Sequence, residues 1–180
     1  MLALPAQAAQ EGCPTGSYSI VMSPDRSTLS ILFDKFHIDS GRPASATSGS
    51  GASKVCHISH PLDLPENMSL GVYKVDYRGF ARLAPTEEAA LEVQYALGPR
   101  GNEHGRTFKR KVKGAHEGDY FFTETVGAGQ MKRVGCGAAA KLNVRIQLAL
   151  NGSGDAMASL DSSDGKGAAM VYHLNLQKCT

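Results

Sequence analysis

The chain has 180 residues, with 19 basic and 17 acidic side chains, 20 glycines and no tryptophan. This length suits one domain with a substantial core, and the glycine content is typical of a turn-rich β protein. The balanced charge and the absence of any run near the roughly 20 apolar residues of a membrane helix argue against specific nucleic-acid recognition and against a membrane span.

The first ten residues, MLALPAQAAQ, resemble the end of a signal peptide. A short apolar part is followed by Ala6-Gln7-Ala8, the small-residue pattern that suits signal peptidase. We therefore expect residues 1–9 to be a signal-peptide remnant. Residues 10–180 are expected to form one domain.

Alternation of apolar and polar residues predicts strands along most of the remaining chain. The strand-like segments are SYSIVM, TLSILFDKFHI, KVCHISH, GVYKVDYRGFARL, EAALEVQYAL, RTFKRKVK, DYFFTET, LNVRIQLAL, AMASLDS and AAMVYHLNLQK. Residues 39–53, DSGRPASATSGSGAS, are too polar and flexible to pack, and predict a long exposed loop. About ten strands with one apolar face each predict an all-β, antiparallel two-sheet sandwich, of which the jelly roll is one form.

The strand GVYKVDYRGFARL has an unusually charged outer face. Its apolar face is predicted to hold Tyr73, Val75, Tyr77, Ala81 and Leu83. On the other face Asp76 lies between Lys74 and Arg78, a row that could bind sugar hydroxyls or carboxylates through the arginine fork. The alternative is a ladder of exposed ion pairs worth about 0–1 kcal/mol each.

The strand RTFKRKVK is the most basic part of the chain. Its cations are Arg106, Lys109, Arg110, Lys111 and Lys113. Alternation places the three lysines on one face and Arg110 on the other. Such a row could bind a polyanion; alternatively, lysines on an edge strand prevent association between sheets.

Four widely spaced cysteines predict two disulfides in an exported protein. They are Cys13, Cys56, Cys136 and Cys179, and the absence of C-x-x-C disfavours zinc or redox chemistry. Three pairings are possible. We favour Cys13–Cys179 with Cys56–Cys136, because a first strand paired with the last would bring the terminal cysteines together.

Signals for metal binding and catalysis are weak. Asp161 and Asp164 in DSSDGK resemble part of a calcium loop, but further acidic ligands are lacking and a hairpin turn explains the segment better. His57 and His60 lie three apart on a strand and therefore face opposite sides. No nucleophile, zinc-protease or phosphate-loop motif occurs, so neither an enzyme nor a cofactor is expected.

Several segments, in order, carry a family resemblance. They are GCPTGS, SPDRSTLSILFDKF, KVCHI, YKVDYRGFARL, EGDYFFTET, GCGAAAKLNVRIQLAL and DSSDGK…YHLNLQKC. Together they resemble the secreted family catalogued as domain of unknown function 4360, from about Gly12 to Cys179 and with all four cysteines included. The resemblance implies a small exported protein of bacteria or fungi, and implies no activity, cofactor or catalytic residue.

These observations favour a secreted, extracellular or periplasmic protein that binds something outside the cell. The leading hypothesis is a non-catalytic module for a glycan or polyanion, with the basic strand as its contact surface. The alternative is an envelope or coat component, or a secreted effector or inhibitor, that engages a protein partner through loop 39–53 or an edge strand. A small hydrolase with two paired carboxylates is the third hypothesis.

Overall fold

The computed structural model describes residues 13, 16–34, 36–39, 53–98, 104–127, 129, 131–152, 155–160 and 169–179. The predicted signal-peptide remnant and the two aspartates of the calcium hypothesis, Asp161 and Asp164, lie outside these residues. So does most of the predicted loop. Its first and last residues, Asp39 and Ser53, belong to strands.

The described residues form twelve strands in two antiparallel sheets, which confirms the predicted all-β class. The larger sheet contains β1 (Tyr18–Met22), β2 (Thr28–Phe33), β3 (His37–Asp39), β5 (Met68–Leu83), β8 (His116–Thr125), β9 (Arg133–Gly135), β11 (Met157–Ser159) and β12 (Met170–Lys178). The smaller contains β4 (Ser53–Leu62), β6 (Glu88–Gly98), β7 (His104–Lys113) and β10 (Ala140–Asn151). The count exceeds the expected ten by two, because β3 is separate from β2 although one segment was predicted there, and because β9 is a three-residue strand without a readable alternation.

The long strand β5 organises the eight-stranded sheet. One of its edges pairs with β12 and then with β11, and the other pairs with β9 and then with β8. Beyond β12 follow β2 and β1, and beyond β11 follows β3. The four-stranded sheet runs β4-β10-β6-β7, so β7 is one of its edges.

The core lies between the two sheets and is built by the period-two alternation of the strands. In β10, Leu142, Val144, Ile146 and Leu148 point inward and are at most 3% exposed. Burying each of these side chains stabilises the fold by about 1.5–3 kcal/mol. The polar residues between them consequently form the outer face of the sheet.

A β-bulge in β5 turns Tyr73 outward, which makes its predicted inward position wrong. The register against β12 shifts where His173 opposes Lys74 and Leu174 opposes Val72, leaving Tyr73 as the extra residue. Val72 and Val75 are both buried as a result, while Tyr73 is exposed. An extra residue reverses the alternation on one side of it, so an unbroken period of two assigned Tyr73 to the wrong face.

The four cysteines form two disulfides, but the favoured pairing was wrong. The bridges are Cys13–Cys56 and Cys136–Cys179. The first strand pairs with β2 and not with the last strand, which removes the reason for a terminal bridge. Instead β9 and β12 flank the beginning of β5, where the Cys136 amide donates to the Met68 carbonyl and the Cys179 amide donates to the Asn67 carbonyl.

Candidate ligand-binding faces

The outward-facing side chains of the four-stranded sheet form a surface that we call the polar face. The strand register aligns one row across all four strands, with Thr107, Gln94, Arg145 and His57 in order. The adjacent row consists of Gly105, Ala96, Asn143 and Ser59. Hydroxyl, amide, guanidinium and imidazole groups thus lie side by side, and together they can both donate and accept hydrogen bonds.

These two rows line an open depression with a volume of about 600 Å³. Ala96 and Gly105 contribute to the depression because neither has a long side chain that could fill it. A Cβ atom at Gly105 would lie 2.4 Å from the Tyr95 carbonyl oxygen, so a side chain there would require the backbone to move. Glycine at this position therefore keeps the two strands close together at the depression.

Arg145 is held in place within the polar face. Its Nη2 donates a hydrogen bond of 3.2 Å to the Gln147 side-chain oxygen, and its Nη1 lies 3.6 Å from a carboxylate oxygen of Glu92. The Arg145 side chain as a whole is about one-third exposed, so it remains accessible to a ligand. A planar donor fixed in this way loses little freedom when it binds an oxygen of a ligand.

The three lysines of the basic strand extend the polar face along its edge, as the alternation predicted. Lys109 lies 4.0 Å from Glu92, and Lys111 lies 3.6 Å from Glu88. Both lysine side chains are mostly exposed, so these pairs contribute only about 0–1 kcal/mol. The lysines remain accessible to a ligand, although two neighbouring carboxylates offset part of their charge.

Arg106 and Arg110 belong to the opposite, inward side of β7. Arg110 Nε donates to Glu124 Oε2 at 3.0 Å, and its Nη2 donates to Glu124 Oε1 at 2.8 Å. The Tyr77 hydroxyl also donates to Glu124. The hydrogen bonds from Arg110, followed by that from Tyr77, hold the pKa of Glu124 below its ordinary value although burial opposes this. Arg110 thus joins the two sheets and does not share a surface with the lysines.

The outward-facing side chains around the middle of β5 form a second surface, which we call the aromatic face. Lys74, Asp76 and Arg78 lie on it, as predicted. Asp76 accepts a 2.7 Å hydrogen bond from the Thr123 hydroxyl and lies 2.7 Å from His173 Nε2. Burial raises the pKa of Asp76, but these two hydrogen bonds and the charges of His173 and Lys74 outweigh it and lower the pKa overall. Asp76 therefore contacts Thr123 on β8 and His173 on β12. These contacts replace the predicted row of ion pairs with Lys74 and Arg78.

Two aromatic rings project from the same face. Tyr73 is 41% exposed and lies with its ring centroid 6.0 Å from that of His173. Phe121 is 56% exposed, and the guanidinium of Arg78 lies 5.6 Å from its ring centroid. Two large exposed rings on one sheet face, with polar groups between them, form a candidate contact surface.

Sequence reasoning missed most residues of the depression. The outward positions of Asn143 and Arg145 follow from the alternation in LNVRIQLAL. Their alignment with Gln94 on β6 and His57 on β4 depends on pairing between distant strands, which alternation does not specify. The only usable signal was therefore the polar side of β10.

Neither a metal centre nor a membrane helix is found in the part of the chain that the structure describes. No three of its histidine, cysteine or acidic residues are grouped to hold a metal ion. None of its segments is a helix long and apolar enough to cross a bilayer.

A profile of the family described as Domain of unknown function (DUF4360) matches residues 6–179. The chain belongs to this family. The resemblance read from the sequence segments is thereby confirmed. An "Uncharacterized secreted protein" of Arthroderma benhamiae is 24% identical over 171 residues, which are 94% of this chain and 68% of that protein.

Two solved structures have a remote likeness to this DUF4360 protein. TmCBM61, determined in complex with β-1,4-galactotriose, is 12% identical, and the match covers 93% of this chain and 90% of that one with a TM-score of 0.31. A protein of the virus-like particle of the Macrobrachium rosenbergii extra small virus is 13% identical over 60% of this chain and 82% of that one, with a TM-score of 0.16. At these scores neither likeness indicates what this chain binds.

Proposed function

We propose that this protein is a secreted, non-catalytic module that binds an extracellular or cell-surface polysaccharide through the polar face. Secretion is supported by the similarity to a secreted fungal protein and by two disulfides, which persist in oxidising compartments. The observation that carries the binding role is the row of hydrogen-bonding side chains that crosses all four strands at the depression.

Polysaccharides present hydroxyl groups that both donate and accept hydrogen bonds. Amide side chains such as Gln94 and Asn143 match this property because each carries a donor and an acceptor. The depression is open to solvent and lies across the strands, so it can accommodate a segment of a chain that continues in both directions. An enclosed pocket would instead select a small molecule.

The lysines favour a polysaccharide that carries carboxylate, sulfate or phosphate groups. Lys109, Lys111 and Lys113 follow one another along the edge of the polar face, so an anionic chain in the depression can reach them. Their glutamate neighbours are 3.6–4.0 Å away and about one-third exposed, so these weak ion pairs can be exchanged for a ligand anion at little energetic cost. Binding is therefore expected to weaken as salt screens the charges.

The test is a panel of neutral and anionic polysaccharides, with binding measured at low and at physiological salt. The double variant Gln94→Ala/Asn143→Ala should weaken binding at both salt concentrations. The triple variant Lys109→Ser/Lys111→Ser/Lys113→Ser should weaken anionic ligands and reduce the salt dependence. Gln177→Ala removes an exposed amide from the other sheet and serves as the matched control.

Three outcomes would overturn the proposal. Binding that survives both sets of substitutions would place the ligand elsewhere on the molecule. Release of shortened or desubstituted sugars during incubation would show that the module is catalytic and favour the hydrolase hypothesis. A panel without any bound polysaccharide, tested alongside a pull-down that captures a defined protein, would favour the alternative role with a protein partner.

A further inference from the structure

We infer a second binding surface on the opposite side of the sandwich, the aromatic face, which takes an uncharged glycan by stacking its sugar rings on Tyr73 and Phe121. The two outer faces belong to different sheets and share no residue. The inference therefore does not depend on the polar face.

The first observation is the bulge that turns Tyr73 outward. Without the extra residue, alternation would place Tyr73 on the same side as Val75 and Tyr77, both of which are buried. A large ring stabilises the fold most when it is buried, so its exposed position is costly for stability. Bulges commonly re-aim one side chain, and here the re-aimed side chain is a flat ring with a hydroxyl at its tip.

The second observation is Phe121 on the adjoining strand. It pairs with Arg78, whose guanidinium lies over its ring. More than half of the residue is exposed, so the ring is accessible to a ligand. The nonpolar face of a pyranose ring has the size and shape to cover such a side chain. The guanidinium next to it can donate to the hydroxyls at the rim of the same sugar.

The spacing of the two rings indicates a chain of sugars. Arg78 follows Tyr73 by five residues, one of which is taken up by the bulge, and this corresponds to about 13–16 Å along the strand. Phe121 lies on the next strand, directly opposite Arg78. A short oligosaccharide can span this distance, whereas one monosaccharide would contact only one ring.

The polar groups between the rings are fixed in advance. Asp76 is bound by Thr123 and His173, and the side chains of Asp76 and His173 are 19% and 20% exposed. A carboxylate held in this way can accept a hydrogen bond from a sugar hydroxyl without losing further side-chain freedom. Hydroxyl recognition between two stacking positions is thus available on one continuous surface.

The charges of the aromatic face favour an uncharged ligand. Lys74 and Arg78 alternate with Asp76 along β5, and Asp119 on β8 pairs with Phe80. A polyanion or a polycation would meet a like charge within this surface. A neutral glycan avoids that repulsion and still finds donors and acceptors.

The experiment is titration calorimetry with neutral oligosaccharides of graded length, differing in sugar and linkage. Tyr73→Ala and Phe121→Ala should each lower the affinity by about tenfold or more, while Tyr73→Phe should retain most of it. Val21→Ala, which shortens another exposed apolar side chain of the same sheet, is the matched control and should leave binding unchanged. Affinity should be insensitive to salt and should rise with chain length until both rings are covered.

The lysine and amide variants of the polar face separate the two proposals. These variants should leave neutral-glycan binding intact, so the proposal for one surface can be disproved without affecting the proposal for the other. The inference is overturned if no neutral oligosaccharide binds, or if binding persists in both Tyr73→Ala and Phe121→Ala. Concentration-dependent dimerisation that disappears in Tyr73→Ala would also overturn it, because the surface would then contact a second copy of the chain.

Discussion

Arg110 on β7 and Glu124 on β8 form a two-pronged ion pair that joins the edge of one sheet to the edge of the other. The Tyr77 hydroxyl donates to the same carboxylate from β5. Because β7 and β8 are consecutive in the chain but belong to different sheets, this contact holds the sandwich together at the connection between them.

Replacing Glu124 should show how much this junction contributes to the free energy of unfolding. Glu124→Gln removes the charge and is expected to lower the free energy of unfolding by about 2 kcal/mol, since the buried Tyr77 hydroxyl and the partly exposed Arg110 guanidinium then lose a charged acceptor. Urea unfolding measures the change. The matched control is Glu88→Gln, whose partner Lys111 is exposed, and it should change stability by less than about 0.5 kcal/mol. Equal effects of the two substitutions would contradict the structural role of Glu124.

Acid should destabilise the protein through the same carboxylate. The folded-state pKa of Glu124 lies below its ordinary value of 4.5, and that of Asp76 lies below 3.8. Their contributions are therefore complete above those ordinary values, and are lost as pH falls through the lowered folded-state values. Unfolding free energy measured from neutral pH downward should decline below about pH 4.5. The decline of unfolding free energy with falling pH should be shallower in Glu124→Gln. An unchanged slope would mean that other groups cause the acid destabilisation.

Gly79 should tolerate no side chain. A Cβ atom there would lie 1.9 Å from the Ser159 carbonyl oxygen and 2.4 Å from the Tyr120 hydroxyl, which donates to that carbonyl. Gly79→Ala is expected to lower stability by about 3 kcal/mol, at the upper end of overpacking effects. Gly127→Ala is the control, because a Cβ there meets no atom within 4 Å. Thermal unfolding of both variants tests this prediction. Similar melting temperatures for Gly79→Ala and Gly127→Ala would disprove the close approach at Gly79.

The two disulfides should stabilise the protein to a similar degree. Each joins cysteines separated by 43 residues, and the chain-entropy relation gives about 4 kcal/mol for a loop of that length. The double variants Cys13→Ala/Cys56→Ala and Cys136→Ala/Cys179→Ala should therefore lose comparable free energies of unfolding. Peptide mapping of the unreduced protein checks the pairing directly, and a Cys13–Cys179 peptide would contradict the structure.

The sequence correctly predicted features that depend on neighbouring residues in the chain. It failed for features that depend on how distant strands pair. Alternation placed the lysines of β7 on one face and Arg110 on the other, and it identified the apolar side of β10. It misplaced Tyr73 because the bulge arises from the pairing of β5 with β12. It misassigned the cysteine partners because the order of strands in the sheets is a property of the whole fold. The polar face was not predicted for the same reason, because its rows of side chains form only when the four strands pair in register.

The positions of the two disulfides also determine how the molecule would respond to a mechanical load. If the chain were pulled from outside Cys13 and Cys179, the segments within each bridged loop could not lengthen, because the covalent bonds would carry the force past them. Only residues 57–135, between the loops, could unravel. These residues contain most of β4 and the whole of β5, β6, β7, β8 and β9. Any protein tethered in this way would therefore unfold first in the strands that hold Tyr73, Phe121 and the lysine row.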